Sequence, residues 1–163
     1  MQPIKEKTTL QRLDFTKVAP AALKAMYSLQ KYVDESGLEP SLLKLVEVRA
    51  SQINGCAYCL DMHTKDARAD GETEQRLYAL DAWQETPFYT ERERAALAWT
   101  EAVTLIREGH VPDEVFERVR EHFSDEELIS LTTAVVAING WNRLCISFRA
   151  EAGTYQPQTR AHK

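Results

Sequence analysis

The chain has 163 residues, enough for one domain with a sizeable core, and its 44% hydrophobic and 28% charged residues are an ordinary globular composition. Lys and Arg number 20 against 25 Asp and Glu, so the formal charge is −5, with no basic stripe to bind nucleic acid or an anionic membrane. The opening MQPIKEKTTLQRLDF lacks the apolar run of a secretory signal, and the longest apolar run, Ala134 to Ile138, is far too short to span a bilayer.

In chain order, Pro20 opens a helical pattern with apolar Leu23, Met26, Tyr27, Leu29 and Val33, closed at Gly37. Pro40 and Ser41 open the next, through Leu42, Leu43, Leu45, Val46, Val48 and Ile53, and Asn54-Gly55 supplies a left-handed stop. A third helix is predicted from about Cys56 to Asp70, ended by Gly71. Shorter patterns cover Glu74 to Trp83 and Thr90 to Arg107, the latter opened by the capping box TERE, in which Glu93 reaches back to Thr90. Pro112 opens another, and SDEE at 124–127 caps one that carries Leu128, Leu131, Val135 and Val136. Asn139-Gly140 is expected to break the chain before a last helix with Trp141, Leu144, Cys145 and Phe148. No segment sustains period-two alternation, so the predicted fold is all-α, with seven or eight helices in a single domain whose core spans about 20–150. Residues after Gly153 read as a frayed tail. ASQINGCAYCL at 50–60 is echoed by AVVAINGWNRL at 134–144, which suggests two related helical halves with the chemistry kept in the first.

Two of the three cysteines fall in INGCAYCLDMHTKDAR, residues 53–68, with a histidine following. Cys145, in an apolar stretch, reads as a small buried hydrophobe. With neither signal nor span, the chain is expected in the reducing cytoplasm, where a Cys-x-x-Cys pair is more often a metal site or a cycling redox centre than a structural bridge. On a helix Cys56, Cys59 and His63 share one face. Zinc wants four ligands, but Ala67 stands where a fourth helical ligand would be, and His110, His122 and His162 have no matching spacing. A c-type haem needs a histidine directly after the second cysteine, where Leu60 stands. No metal and no bound cofactor are expected.

Redox chemistry fits better. Gly55 lets the cysteines fall in the first helical turn, where free amides and the helix dipole favour a thiolate. His63 can take the proton from Cys59, and Cys56 can resolve an oxidised Cys59 into a disulfide if that turn is loose. Helix-end effects favour Cys56 by roughly 0.3–1 kcal/mol. Positioned acid–base help from His63 favours Cys59 by about 10²–10⁴-fold, so Cys59 is expected to attack and Cys56 to resolve.

RASQINGCAYCLDMHTKDAR resembles the core of the AhpD-like alkylhydroperoxidases of the carboxymuconolactone decarboxylase superfamily, most closely over residues 41–70, and AINGWNRLCISFR resembles the family's second half. The resemblance implies an all-helical, internally duplicated fold that assembles as a trimer or hexamer. It also implies a peroxidase or disulfide reductase acting on a hydroperoxide, recycled by a dithiol or protein reductant. In such enzymes the second cysteine, here Cys59, attacks and the first, here Cys56, resolves, with a histidine, here His63, and a glutamate as proton relay. Two departures stand out. Tyr58 replaces a histidine, and Lys44 occupies the glutamate's position, with Glu47 nearly one turn further on as the candidate substitute. Relatives without the cysteines decarboxylate a lactone, so the retained pair favours redox chemistry over a decarboxylase. The alternative is a non-enzymatic helical oligomer whose cysteines sense redox state or bind metal. Trp83, Phe88, Trp99, Trp141 and Phe148 are a large aromatic supply, also expected to need the cover of an oligomer.

Overall fold

In the computed structural model, which describes residues 11–157, the chain folds entirely into helices and loops; no strand occurs among the described residues. The helices are α1 (Phe15–Val18), α2 (Pro20–Asp34), α3 (Pro40–Asn54), α4 (Ala57–Ala69), α5 (Glu74–Ala79), α6 (Glu91–Thr104), α7 (Ile106–Gly109), α8 (Asp113–Arg120) and α9 (Asp125–Phe148), with a 3₁₀ segment, Leu80–Glu85, after α5. Two of these, α1 and α7, are single turns. The all-α expectation holds, and the described residues contain no helix long and apolar enough to cross a membrane.

Helix α3 is the central element and packs against α4, α6 and α9. It buries Leu42, Leu43, Leu45, Val46 and Val48 around its circumference, as a helix enclosed by neighbours must. One side joins Val33, Trp99, Val119, Phe123, Leu131 and Val135 in one core cluster. The other meets Ala67, Leu77, Leu80, Trp83, Tyr89 and Leu97 in a second. Local signals set most boundaries. Pro20 and Pro40 occupy first-turn positions, and both predicted capping boxes, Thr90 with Glu93 and Ser124 with Glu127, form reciprocally.

Three expectations are corrected. The predicted Thr90–Arg107 helix divides at Leu105 (φ −96°, ψ 34°) into α6 and α7. Asn139-Gly140 does not break the chain, because α9 runs unbroken through it. Asn139 donates back to the Val135 carbonyl at 2.9 Å and to Thr104 Oγ1 at 3.0 Å, so its side chain is satisfied without capping an end. Gly140 makes room for α2: a Cβ there would lie 2.9 Å from Met26 Cε. The second Ile-Asn-Gly is thus a packing site and not a turn. The chain beyond Gly153 is also not frayed within the described residues. The Gly153 amide donates to Asp61 at 3.0 Å, Lys65 to the Tyr155 carbonyl at 3.0 Å, and the Tyr155 hydroxyl to Asp66 at 2.7 Å, all on α4. Residues 1–10 and 158–163, including His162, lie outside the described residues. Of the five aromatics, Trp83 and Trp99 are core residues and Phe88, Trp141 and Phe148 are partly buried, while the large exposed apolar side chains include Ile129, Val136 and Ile146 on α9.

A buried amide network sets the register of α3 against α9. Asn54 Nδ2 donates to Asn139 Oδ1 at 3.0 Å and to Asn142 Oδ1 at 2.9 Å, and Asn142 Nδ2 donates to Ser51 Oγ at 3.0 Å. Asn142 and Ser51 are fully buried, where an unmet polar group costs about 1–3 kcal/mol. Asn142→Ala is therefore expected to lower the unfolding free energy by about 1–3 kcal/mol in equilibrium denaturation. An unchanged midpoint would show that the network contributes nothing.

Candidate active site

The site forms where α3 ends and α4 begins. Gly55 takes a left-handed conformation (φ 67°, ψ 35°), and its amide closes on the carbonyls of Gln52 and Ser51. Nothing lies within 4 Å of where a Cβ would stand, so the glycine serves the backbone angle and not a close contact. Cys56 follows with an extended backbone (φ −83°, ψ 97°) as the N-cap of α4, and its Sγ accepts a hydrogen bond from the Cys59 amide at 3.4 Å. The expected helix start therefore moves by one residue. Cys56 stands just outside the first turn, and that supplies the slack for pairing. Cys56 and Cys59 are joined as a disulfide with Cα atoms 5.3 Å apart, within the usual span of a bridge.

The single face expected of α4 is present: Cys59, His63 and Ala67 are its buried residues. Across from it, Glu47 of α3 places Oε2 3.1 Å from His63 Nδ1 and 3.1 Å from Lys44 Nζ. Gln30 of α2 reaches the other oxygen at 3.4 Å and accepts at 3.2 Å from the Trp141 indole of α9. Neither ring nitrogen of His63 makes a well-aligned hydrogen bond among the described residues, and its contact with Glu47 is the 3.1 Å approach of Nδ1 to the carboxylate. Burial pushes the Glu47 carboxyl up, but His63 and Lys44 outweigh it and hold the pKa down at about 2. Lys44, at the position where the resemblance places a relay glutamate, is thus an ion-pair partner of Glu47.

A cleft of about 630 Å³ runs along these groups. Cys59, His63, Glu47 and Tyr58 border it, while Cys56 is not among its lining residues. Among the described residues its charge is one-sided: Asp14, Asp34, Glu47, Asp66, Asp70 and Glu151 line it with Lys44 as the one lysine, though Lys17 pairs with Asp14 from outside.

Sequence reasoning missed Gln30, Trp141 and Cys145. Cys145 is buried, as expected of a small hydrophobe, yet it packs in one cluster with Cys56 and Cys59, and the three Sγ atoms lie within 4.8 Å of one another. Burial pushes its thiol up to about 11. This is the set of sulfurs that could hold a soft metal ion if all three were reduced. No local signal marks these residues, because Gln30 reaches the site from α2 and Trp141 and Cys145 reach it from α9, all far in sequence from the Cys-x-x-Cys turn.

The carboxymuconolactone decarboxylase family pattern matches residues 20–102. The uncharacterized protein YdfG of Bacillus subtilis is 44% identical over 144 residues, 88% of this chain and 98% of YdfG. A crystal structure from Agrobacterium tumefaciens, of a protein of unknown function provisionally called the antioxidant defence protein AhpD, is 47% identical. It superposes with a TM-score of 0.87 over 90% of this chain and 100% of that one. The debrominase Bmp8 shares the fold at 24% identity, with a TM-score of 0.75 over 83% of this chain and 73% of its own. The family match takes in Glu47, Cys56, Cys59 and His63 and stops short of Cys145.

A depressed carboxyl contributes stability above its unfolded pKa and loses it as pH falls through the folded one, a window here from about 4.5 down to about 2. In thermal melts at fixed pH, the gap between wild type and Glu47→Gln is expected to be constant above pH ~5 and clearly narrower at pH ~3. A gap as wide at the lower pH would contradict the depressed value.

Proposed function

Because the chain belongs to the carboxymuconolactone decarboxylase family, in its AhpD-like branch, we propose that it is a thiol peroxidase that reduces hydroperoxides through Cys59 and Cys56. The observation that carries this reading is the Cys56–Cys59 disulfide beside a buried His63–Glu47 pair, with Cys59 alone of the two bordering the cleft.

In the reduced protein, His63 takes the Cys59 proton while Glu47 holds the resulting imidazolium. The Cys59 thiolate attacks the peroxide oxygen, the O–O bond breaks, and His63 returns the proton to the leaving alkoxide. Cys59 is now a sulfenic acid. The Cys56 thiol attacks its sulfur, water leaves, and the disulfide forms. A dithiol or a protein reductant then restores both thiols by exchange at the cleft-facing sulfur. Such cycling suits a reducing, cytoplasmic setting. Lys44 and Gln30 act through Glu47, keeping the carboxylate charged and turned toward His63.

The competing reading, a metal-binding or redox-sensing protein, draws on the same three sulfurs. Elemental analysis of reduced protein separates the two: about one equivalent of zinc per chain would overturn the peroxidase.

We also propose self-association, now on different grounds from the aromatic count. Ile129 and Val136 lie two turns apart on α9 and are 64% and 52% exposed, with Tyr32 bonded nearby to Ser130. The family's trimers or hexamers would cover this strip. Light scattering at micromolar concentration is expected to give a multiple of the 18.6 kDa chain, and a stable monomer would refute the assembly.

Peroxide consumption with a dithiol reductant tests the chemistry. Cys59→Ser should be inactive, and His63→Ala should slow Cys59 oxidation near neutral pH by roughly 10²–10⁴-fold. Wild-type rates in Cys59→Ser would remove the assignment.

A further inference from the structure

The buried thiol of Cys145 takes no part in the cycle above, yet it lies with the two cysteines that do. The three sulfurs are within 4.8 Å of one another. Around them, among the described residues, pack Phe15, Tyr58 and Ala150 as partly buried apolar neighbours. Cys145 borders the cleft together with Cys59, whereas Cys56 does not. It also stands near a helix end: its carbonyl accepts the amides of Arg149 and Ala150, which cap α9. Cys56 and Cys59 stand at the opposite kind of end, the start of α4.

We infer that Cys145 is a third redox thiol of this site, able to take over Cys59 in a second disulfide, Cys59–Cys145. This rests on the reading of Cys59 as the oxidised centre, although its geometry does not depend on which oxidant acts. A bridge needs sulfurs about 2.05 Å apart, so the existing separation of at most 4.8 Å leaves under about 2.8 Å to close. Side-chain rotation and small shifts at two helix ends supply that movement.

Two balanced routes reach the same product. In the first, the Cys145 sulfur attacks the sulfenic acid of Cys59, the S–O bond breaks, and water leaves with the thiol proton. The hydroperoxide has already supplied the oxidising equivalents. In the second, the Cys145 thiolate attacks Cys59 Sγ within the Cys56–Cys59 disulfide, the old S–S bond breaks, and Cys56 leaves as a thiolate. No net oxidation occurs in that exchange. Its direction has a physical basis. The departing Cys56 sulfur sits at the start of α4 and accepts the Cys59 amide at 3.4 Å, a setting that stabilises a thiolate and speeds its departure. The exchange trades a poorly stabilised thiolate for a better stabilised one, but apolar surroundings push the Cys145 thiol up to about 11, and its proton must first leave to hydroxide. Its thiolate is scarce at neutral pH, so Cys56 resolves first and Cys145 follows slowly. The consequence is a reserve resolver that keeps an oxidised Cys59 from lingering as a sulfenic acid open to further, irreversible oxidation.

Full-length Cys56→Ser and Cys56→Ser/Cys145→Ala, fully reduced, would be treated in parallel with diamide and with an alkyl hydroperoxide at mildly alkaline pH. Both are then alkylated and mapped by mass spectrometry, with dimedone present in a duplicate. The expected result is a Cys59–Cys145 linked peptide, lighter by two hydrogens, from Cys56→Ser with either oxidant. The double variant should show no internal disulfide and a persistent dimedone adduct on Cys59. If diamide forms the link but the hydroperoxide leaves every thiol free, the third-thiol assignment stands and the peroxidase reading falls. If the hydroperoxide modifies Cys59 while Cys145 stays free with both oxidants, the peroxidase stands and this assignment falls. Should Cys56→Ser fail to fold, oxidised wild type incubated at the same pH gives the same answer: a growing share of Cys59–Cys145 supports the inference, and exclusive Cys56–Cys59 overturns it.

Discussion

The architecture turns on one buried carboxylate. Helix α3 is enclosed by its neighbours, yet it carries Glu47 into that interior at 6% exposure. An unpaired charge there would cost several kcal/mol. Compensation comes from His63 of α4, Lys44 one turn back on α3, and Gln30 of α2. Meeting the needs of Glu47 therefore positions three helices at once. It aligns α4 so that His63 faces inward, and with it Cys59 one turn earlier. It also orients Gln30, whose other end receives the Trp141 indole of α9. The polar face of the cleft follows from satisfying a single group.

Signals confined to a few neighbouring residues were legible in the sequence. First-turn prolines, capping boxes and the left-handed glycine at position 55 act through the backbone around them, and all formed as expected. The i,i+4 spacing of Cys59 and His63 likewise survives folding because a helix preserves it. Glu47 was reached by another route, through the family resemblance, as a residue nearly one turn from the relay position it implies, and the structure brings it to His63.

What the sequence concealed depends on contacts between distant segments. Asn139-Gly140 has the composition of a helix stop, yet Thr104 and Asn54 satisfy the asparagine and Met26 fills the space beside the glycine. The same dipeptide ends α3, where Gly55 turns left-handed, and continues α9, where Asn139 bonds back to the Val135 carbonyl one turn earlier. Gln30 is one polar residue on an amphipathic helix, and nothing nearby in the chain distinguishes it. Cys145 resembles any small buried side chain until α9 is laid against α4. Residues 153–157 gain order from α4 and from nothing within themselves.

The one-sided lining of the cleft has a consequence beyond the chemistry at its floor. Carboxylates on a low-dielectric wall focus a negative potential into the opening, and Lys44, tied to Glu47, does little to offset it. A molecule of net negative charge approaching Cys59 through this opening would meet an opposing field, and a positively charged one an attracting field. Exposed charges are screened over roughly 8–10 Å at physiological ionic strength, so the discrimination acts at the mouth and relaxes as salt rises.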